Sequence, residues 1–169
     1  MPVTSGGQVM KSKDSKPVIG WREWVELPSL GIRHIKAKVD TGARTSALHA
    51  SDIEYFSNRR KVRFSVHPLQ RNRFKTVTAE ATVIGRRSIK SSVGHVTVRP
   101  VIRTDIILLN RKWEIEITLV NRDQMGFRML LGRQAIRGLY TVDPGRSFLA
   151  GQFKPAKKKK RIKRRKRIR

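Results

Sequence analysis

The chain has 169 residues, 39 Lys plus Arg against 12 Asp plus Glu, a formal net charge of +27 and no cysteine. That length bounds it to one domain with or without tails, and the missing thiols exclude disulfide scaffolds, cysteine-ligated metal centres and cysteine nucleophiles. No stretch approaches the ~20 apolar residues that cross a bilayer, and no apolar segment follows the lysines of Met1–Lys16 as a secretory leader requires, so a cytoplasmic protein is expected.

Residues 1–17 are rich in Ser, Gly and Lys without apolar periodicity, and are read as a disordered arm. From residue 18 the pattern turns to strands. Trp21–Leu27 places Trp21, Val25 and Leu27 among its apolar positions, with Trp24 breaking the alternation. Ile32–Val39 puts Ile35, Ala37 and Val39 on one face and His34, Lys36 and Lys38 on the other, the signature of a half-buried strand. Lys61–His67 alternates cleanly through Val62, Phe64 and Val66. Thr76–Ile84 and Ser88–Val93 flank Gly85-Arg86, which reads as a hairpin turn.

Val96–Leu109 is a long strand with Pro100 near its start, implying an edge or a bulge there. Asn110-Arg111 reads as a tight turn into Lys112–Val120, where Trp113, Ile115, Ile117 and Leu119 share a face. Phe127–Leu131 is a short strand, and Arg133–Gly138 is a helical turn stopped by Gly138. Leu139–Val142 and Ser147–Leu149 flank the turn Asp143-Pro144-Gly145. Many short strands without long helices disfavour parallel βαβ units, so the expected fold is all-β, a small closed or partly closed β-barrel with one short helix over residues 18–153.

Residues 154–169 hold 12 basic residues in 16 and no acid, and the rest of the chain still carries +15. Such a segment repels itself and cannot build a core, so it is read as a disordered polybasic tail. Lys157, Lys158, Lys159, Lys160, Arg161, Lys163, Arg164, Arg165, Lys166, Arg167 and Arg169 are its candidate polyanion contacts, with nucleic acid or ribosome as partner.

Val39-Asp40-Thr41-Gly42-Ala43 ends a strand in a turn and presents a carboxylate at the strand end, with Gly42 giving the backbone freedom to turn. Met129-Leu130-Leu131-Gly132-Arg133 then leads from a strand into a helix start. This pair of motifs resembles the retropepsins, the single-lobe aspartic peptidases, and more closely the bacterial retropepsin-like domain whose members are often labelled "ATP-dependent zinc protease". The likeness runs from about Ile19 to Leu149 and is carried also by Ile19–Val25, the extended motif Ala37–Ala50, Arg99-Pro100-Val101-Ile102 and Val142-Asp143-Pro144.

The resemblance implies an acid-protease barrel that forms half a site and is completed by homodimerisation. One Asp40 from each copy would meet across a two-fold axis. Two carboxylates about 3 Å apart cannot both ionise, so the pair shares a proton. The ionised member acts as base on water and the protonated one donates to the scissile carbonyl of a peptide substrate. Thr41 would lock the two loops through its hydroxyl, and Gly42 would lie near the substrate backbone. Leu130, Leu131, Gly132 and Arg133 form the second motif. Retroviral relatives carry an acid after the motif's Ala, paired with the Arg of the second motif; here that position is Arg44. Asp52, Glu54 and Asp143 are the alternative partners for these cations. Two segments suit a flap, Ile84-Gly85-Arg86-Arg87 and Ser92-Val93-Gly94-His95.

Other chemistries find less support. The histidines 34, 49, 67 and 95 form no H-E-x-x-H and no i, i+4 pair, so no metal is expected, and His34 and His67 are read as surface residues. No Walker-type loop or G-x-S-x-G elbow occurs, so neither a nucleotide cofactor nor a serine nucleophile is expected. Glu114 and Glu116 lie on the outward face of one strand and read as solvent charges. The basic body favours acidic substrates, and the association of family members with enzymes that add glutamate implies acidic tails as one class. The competing reading is a non-catalytic basic barrel that binds RNA or ribosome, in which Asp40 is an ordinary turn residue. Deleting residues 154–169 should lower non-specific nucleic-acid affinity and flatten its dependence on salt while the domain stays folded, which binding titrations at several ionic strengths will show.

Overall fold

Alternation along the strands decides which side chains meet in the interior of this chain. The computed structural model describes residues 15–69, 76–90, 94–121 and 126–153. The strands in chain order are β1 (Val18–Gly20), β2 (Arg22–Leu27), β3 (Ile32–Asp40), β4 (Ser46–His49), β5 (Ser51–Phe56), β6 (Lys61–Val66), β7 (Val77–Lys90), β8 (Val96–Leu108), β9 (Arg111–Val120), β10 (Met129–Gly132) and β11 (Thr141–Asp143). A 3-10 turn (Pro28–Leu30) precedes β3 and the short helix α1 (Arg133–Ile136) follows β10. The fold is all-β, as expected.

Nine strands form one sheet in the order β2-β3-β10-β4-β9-β8-β7-β6-β5. β2 also pairs with β8 at Glu26↔Ile107, so the first six strands of that order close into a ring of hydrogen-bonded neighbours. Val25, Leu27, Ile35, Ala37, Phe64, Ile102, Ile106, Ile117 and Leu119 fill the interior, each at or near zero exposure. β1 and β11 pair in parallel beside this sheet, Val18↔Thr141 to Gly20↔Asp143.

Four expectations need correction. Gly85-Arg86 is not a turn: β7 runs unbroken through it, and the register against β8 shifts between Val83 and Gly85, so the glycine serves a bulge. The pairing of β7 with β8 extends to Lys90↔Val96, and Gly94 has φ +89°. The turn before β9 lies one residue earlier than expected, at Leu109 and Asn110, both at positive φ, the backbone of a two-residue turn that suits strand twist. Ser147–Leu149 is not a strand and does not fold back on β11. Its chain crosses instead to β2, where the Phe148 N–H donates to the Arg22 carbonyl at 2.9 Å. Finally, the helix ends at Ile136, with Gly138 (φ +78°) just beyond it. Pro100 conforms to the reading: β9 joins β8 only from Val101, leaving the outer edge of β8 open at the proline.

That crossing segment is held by a residue the periodicity did not single out. Glu23 points inward from β2 and is fully buried. Its Oε1 accepts the N–H groups of Gly20 (2.6 Å) and Leu149 (2.9 Å), and Oε2 accepts that of Ala150 (3.1 Å). A buried carboxylate is tolerated when its lone pairs are filled in this way. Around it Trp24 stacks on Phe148 at 6.1 Å, and His34 stacks on Phe153 at 3.9 Å. At the 3-10 turn, Asp105 accepts from Lys112 Nζ (2.9 Å) and Ser29 Oγ (3.0 Å). The hydrogen bond from Lys112, then that from Ser29, hold its carboxyl below the usual value. A lowered folded pKa means that this tie is present above the ordinary carboxylate range and is lost as pH falls through the lowered value.

Glu23→Gln should destabilise the domain by about 2 kcal/mol, because at least one of three N–H groups then faces an amide donor. Denaturant unfolding will give the loss, and faster amide exchange at Leu149 and Ala150 will locate it.

Candidate active site

The site is built where β10 threads between two strands that are neighbours in sequence. β10 runs parallel to β3, Leu131↔Val39 and Gly132↔Asp40, and antiparallel to β4, Met129↔Leu48. The loop 41–45 therefore arches over the end of β10 to connect the strands on either side. Gly132 is what lets it pass: a Cβ at this position would lie 2.5 Å from the Thr45 carbonyl carbon and 2.7 Å from its oxygen. The Gly132 N–H donates to Ser46 Oγ at 3.1 Å, and Thr118 Oγ1 donates to the Ser46 carbonyl at 3.1 Å. The backbone N–H groups of Arg133 and Gln134, at the start of α1, donate to the carbonyls of Ala43 (2.9 Å) and Arg44 (3.2 Å).

Asp40 stands half-buried at the end of β3. Its Oδ1 accepts two backbone N–H groups, from Gly42 at 3.1 Å and Ala43 at 3.0 Å. This local turn orients the carboxylate, and among the described residues no group bonds Oδ2. Thr41 and Gly42 are exposed beside it. The structure thus brings Asp40, Thr41, Gly42 and Ala43 together with Gly132 and Arg133, as the paired motifs imply. Leu131 is buried and Leu130 half-buried in the strand between them.

Neither Arg44 nor Arg133 takes one of the expected carboxylates. Arg133 Nη1 donates to the Gly42 carbonyl at 3.2 Å, so this arginine clamps the loop through backbone. Asp143 Oδ1 accepts the N–H of Gly145 at 2.8 Å, and Asp52 Oδ2 accepts from Ser51. Arg44 is exposed and lines a cleft of about 530 Å³ behind the loop together with Arg87, Arg137, Glu114, Glu116 and Gln134. Glu116 is not a free solvent charge: it pairs with Arg87 and lies 3.8 Å from Arg103 Nη2. Glu114 is exposed, 3.8 Å from Arg103 Nε.

Of the two segments suited to a flap, residues 84–87 lie within β7, and Gly94 and His95 precede β8. Residues 91–93 and the tail residues Lys157 to Arg169 lie outside the described residues. Among the described residues no cluster of three or more His, Asp or Glu side chains could hold a metal. His49 is buried in β4, and His67 Nδ1 shares a hydrogen bond with Thr76 Oγ1 at 3.1 Å. Among the described residues no helix is long and apolar enough to cross a membrane.

Sequence reasoning missed the Ser46 and Thr45 contacts. β4 is the four-residue run Ser46–His49, buried at every position, so no alternation marks it.

Comparison with known proteins matches this architecture. Residues 18–152 match the family model described as retropepsin-like aspartic endopeptidase RimB. A probable alpha-L-glutamate ligase of Shewanella halifaxensis is 48% identical over 141 residues, which is 82% of this chain and 31% of the ligase. A protein of the same name from Desulfotalea psychrophila is 45% identical over 145 residues, 85% of this chain and again 31% of the relative. The chain therefore spans about a third of the length of these curated relatives. A crystal structure of a Legionella pneumophila protein of unknown function superposes with a TM-score of 0.67 at 28% identity, covering 80% of this chain and 99% of that one. With the family match running across the strand-end Asp40 turn and the glycine that lets it close, the chain belongs to the RimB-like family of retropepsin-like aspartic endopeptidases.

Proposed function

We propose that this chain is an aspartic endopeptidase that works as a homodimer, hydrolysing peptide bonds with a water activated by Asp40 and the Asp40 of a second copy. The observation that carries this reading is the state of the Asp40 carboxylate. Two backbone N–H groups hold Oδ1, and among the described residues none bonds Oδ2. The chain has a single Asp-Thr-Gly, so the second carboxylate of a dyad must come from another copy. The exposure of Thr41 and Gly42 beside Asp40 leaves that approach open. Across an isologous contact the same loops would face each other, the two carboxylates would share one proton, and the ionised one would take a proton from water as it attacks the carbonyl. The protonated partner would donate to the carbonyl oxygen.

Acidic peptides are the substrate class we favour. The chain without its last 16 residues carries +15, which concentrates anionic segments around it. The relatives named as glutamate ligases carry a region like this chain in about a third of their length. A peptidase domain sharing a chain with an enzyme that adds glutamate makes glutamate-rich peptides the first substrates to try. The tail is proposed to hold the enzyme near a polyanion such as nucleic acid or ribosome.

Asp40→Asn should abolish cleavage of a glutamate-rich fluorogenic peptide, by at least about a thousandfold as expected for removal of a group that acts in the reaction itself, without unfolding the domain. A chelator should leave activity unchanged. Loss of activity with chelator and survival in Asp40→Asn would refute the dyad. Sedimentation run alongside the assay should place the active species at twice the chain mass; cleavage by a species that stays monomeric overturns the shared site. The rate should follow a bell-shaped pH profile, its acid limb set by gain of a second proton on the pair and its alkaline limb by loss of the shared one. Salt should leave the width of that bell unchanged, because screening over roughly 8 Å does not reach between two touching carboxylates.

A further inference from the structure

The loop that carries Asp40 is fixed on one side by β10 and α1, through Gly132 and the N–H groups of Arg133 and Gln134. It is also held by a side chain from a distant strand. Arg87 of β7 donates through Nη1 to Thr45 Oγ1 at 3.2 Å, and its Nη2 pairs with Glu116 of β9. One guanidinium thus joins three elements: the β7–β8 hairpin, β9 and the loop. Arg87 sits where β7 has left β6 behind, since the β6 pairing ends at Thr82, so β8 is its strand partner there.

The fork of an arginine presents its donors at a fixed angle, which suits it to hold a hydroxyl and a carboxylate together. Arg87 and Glu116 each keep about a third of their side-chain surface in solvent (35% for both). An ion pair so exposed contributes little to global stability. What it does contribute is position. Thr45 is the last residue before β4, and only four residues separate it from Asp40. The N–H groups of Gly42 and Ala43 within that span are the ones that orient the Asp40 carboxylate. A displacement of the loop by 1 Å is enough to cost a reacting group about a hundredfold in rate.

We propose that Arg87 is a positioning residue for Asp40, acting through Thr45 and itself oriented by Glu116. This rests on the reading of Asp40 as the reacting carboxylate, but its structural core can be tested apart from activity.

The test is hydrogen exchange on the full chain, parent against Arg87→Gln, Thr45→Val and the double variant. Exchange at Gly42 and Ala43 should quicken about tenfold in each single variant, the scale of losing one hydrogen bond to a charged group. The double variant should be no faster than either single one, because both remove the same contact. β3 and β6, read over residues 32–37 and 61–66, should exchange as in the parent. On the glutamate-rich peptide, Arg87→Gln should lower kcat about tenfold with KM nearly unchanged, and Glu116→Gln should fall in the same direction by less. Unchanged exchange at Gly42 and Ala43 overturns the proposal. So does a rise spread evenly over β3 and β6, which would make Arg87 a residue of general stability. Activity that survives Asp40→Asn would instead refute the reading of Asp40 as the reacting carboxylate while leaving the exchange result as it stands.

Discussion

A single close approach organises this molecule: the backbone of Gly132 against the carbonyl of Thr45. β10 can lie between β3 and β4 only if the loop joining those two strands crosses its end, and the crossing leaves no room for a side chain. Once it is made, the rest of the site follows from local bonding. Ser46 takes the Gly132 N–H, the first N–H groups of α1 take the loop carbonyls, and Arg133 reaches back to Gly42. Asp40 is then held by its own loop, through one carboxylate oxygen.

The arginines are the chain's departure from the resemblance that first suggested this site. Arg44 stands where retroviral relatives place an acid, and among the described residues no carboxylate pairs with Arg133. It turns to backbone instead, and the loop acquires a second brace through Arg87 and Thr45. Glu116 is the carboxylate that the structure does place near the loop, but its partner is Arg87. Arg44 and Arg137 line a cleft behind the loop together with Arg87, Glu114 and Glu116. Burial follows the same economy elsewhere. Glu23 is a buried carboxyl group held by the N–H of Gly20 in β1 and by those of Leu149 and Ala150 in the segment that crosses to β2.

Much of the fold was legible because its long strands are half-buried. In β3 and β6 one face meets the core and the other meets solvent, so the apolar residues recur at every second position and show both the strand and its inward side. Asp40, Gly132 and Arg133 were legible for a different reason: they lie in two short motifs whose residue types follow from a tight turn and a close backbone approach. What periodicity could not show is β4, because all four of its residues are buried and alternation requires two environments. It could not place the β7–β8 turn either. A glycine in a strand pattern can mark a turn or a bulge, and only the pairing with β8 makes Gly85 a bulge.

By itself, then, the sequence determined the all-β class, the inward faces of the long strands, the strand-end position of Asp40 and the concentration of positive charge. Each of these is a property of neighbouring residues or of composition. Tertiary structure alone decided the contacts between residues far apart in the chain. Arg87 and Thr45 are 42 positions apart, Ser46 and Gly132 86, and Glu23 and Leu149 126. No local pattern encodes such pairs. They depend on which strands become neighbours in the sheet, and that is settled only when β10 passes beneath the Asp40 loop and β2 closes the ring against β8.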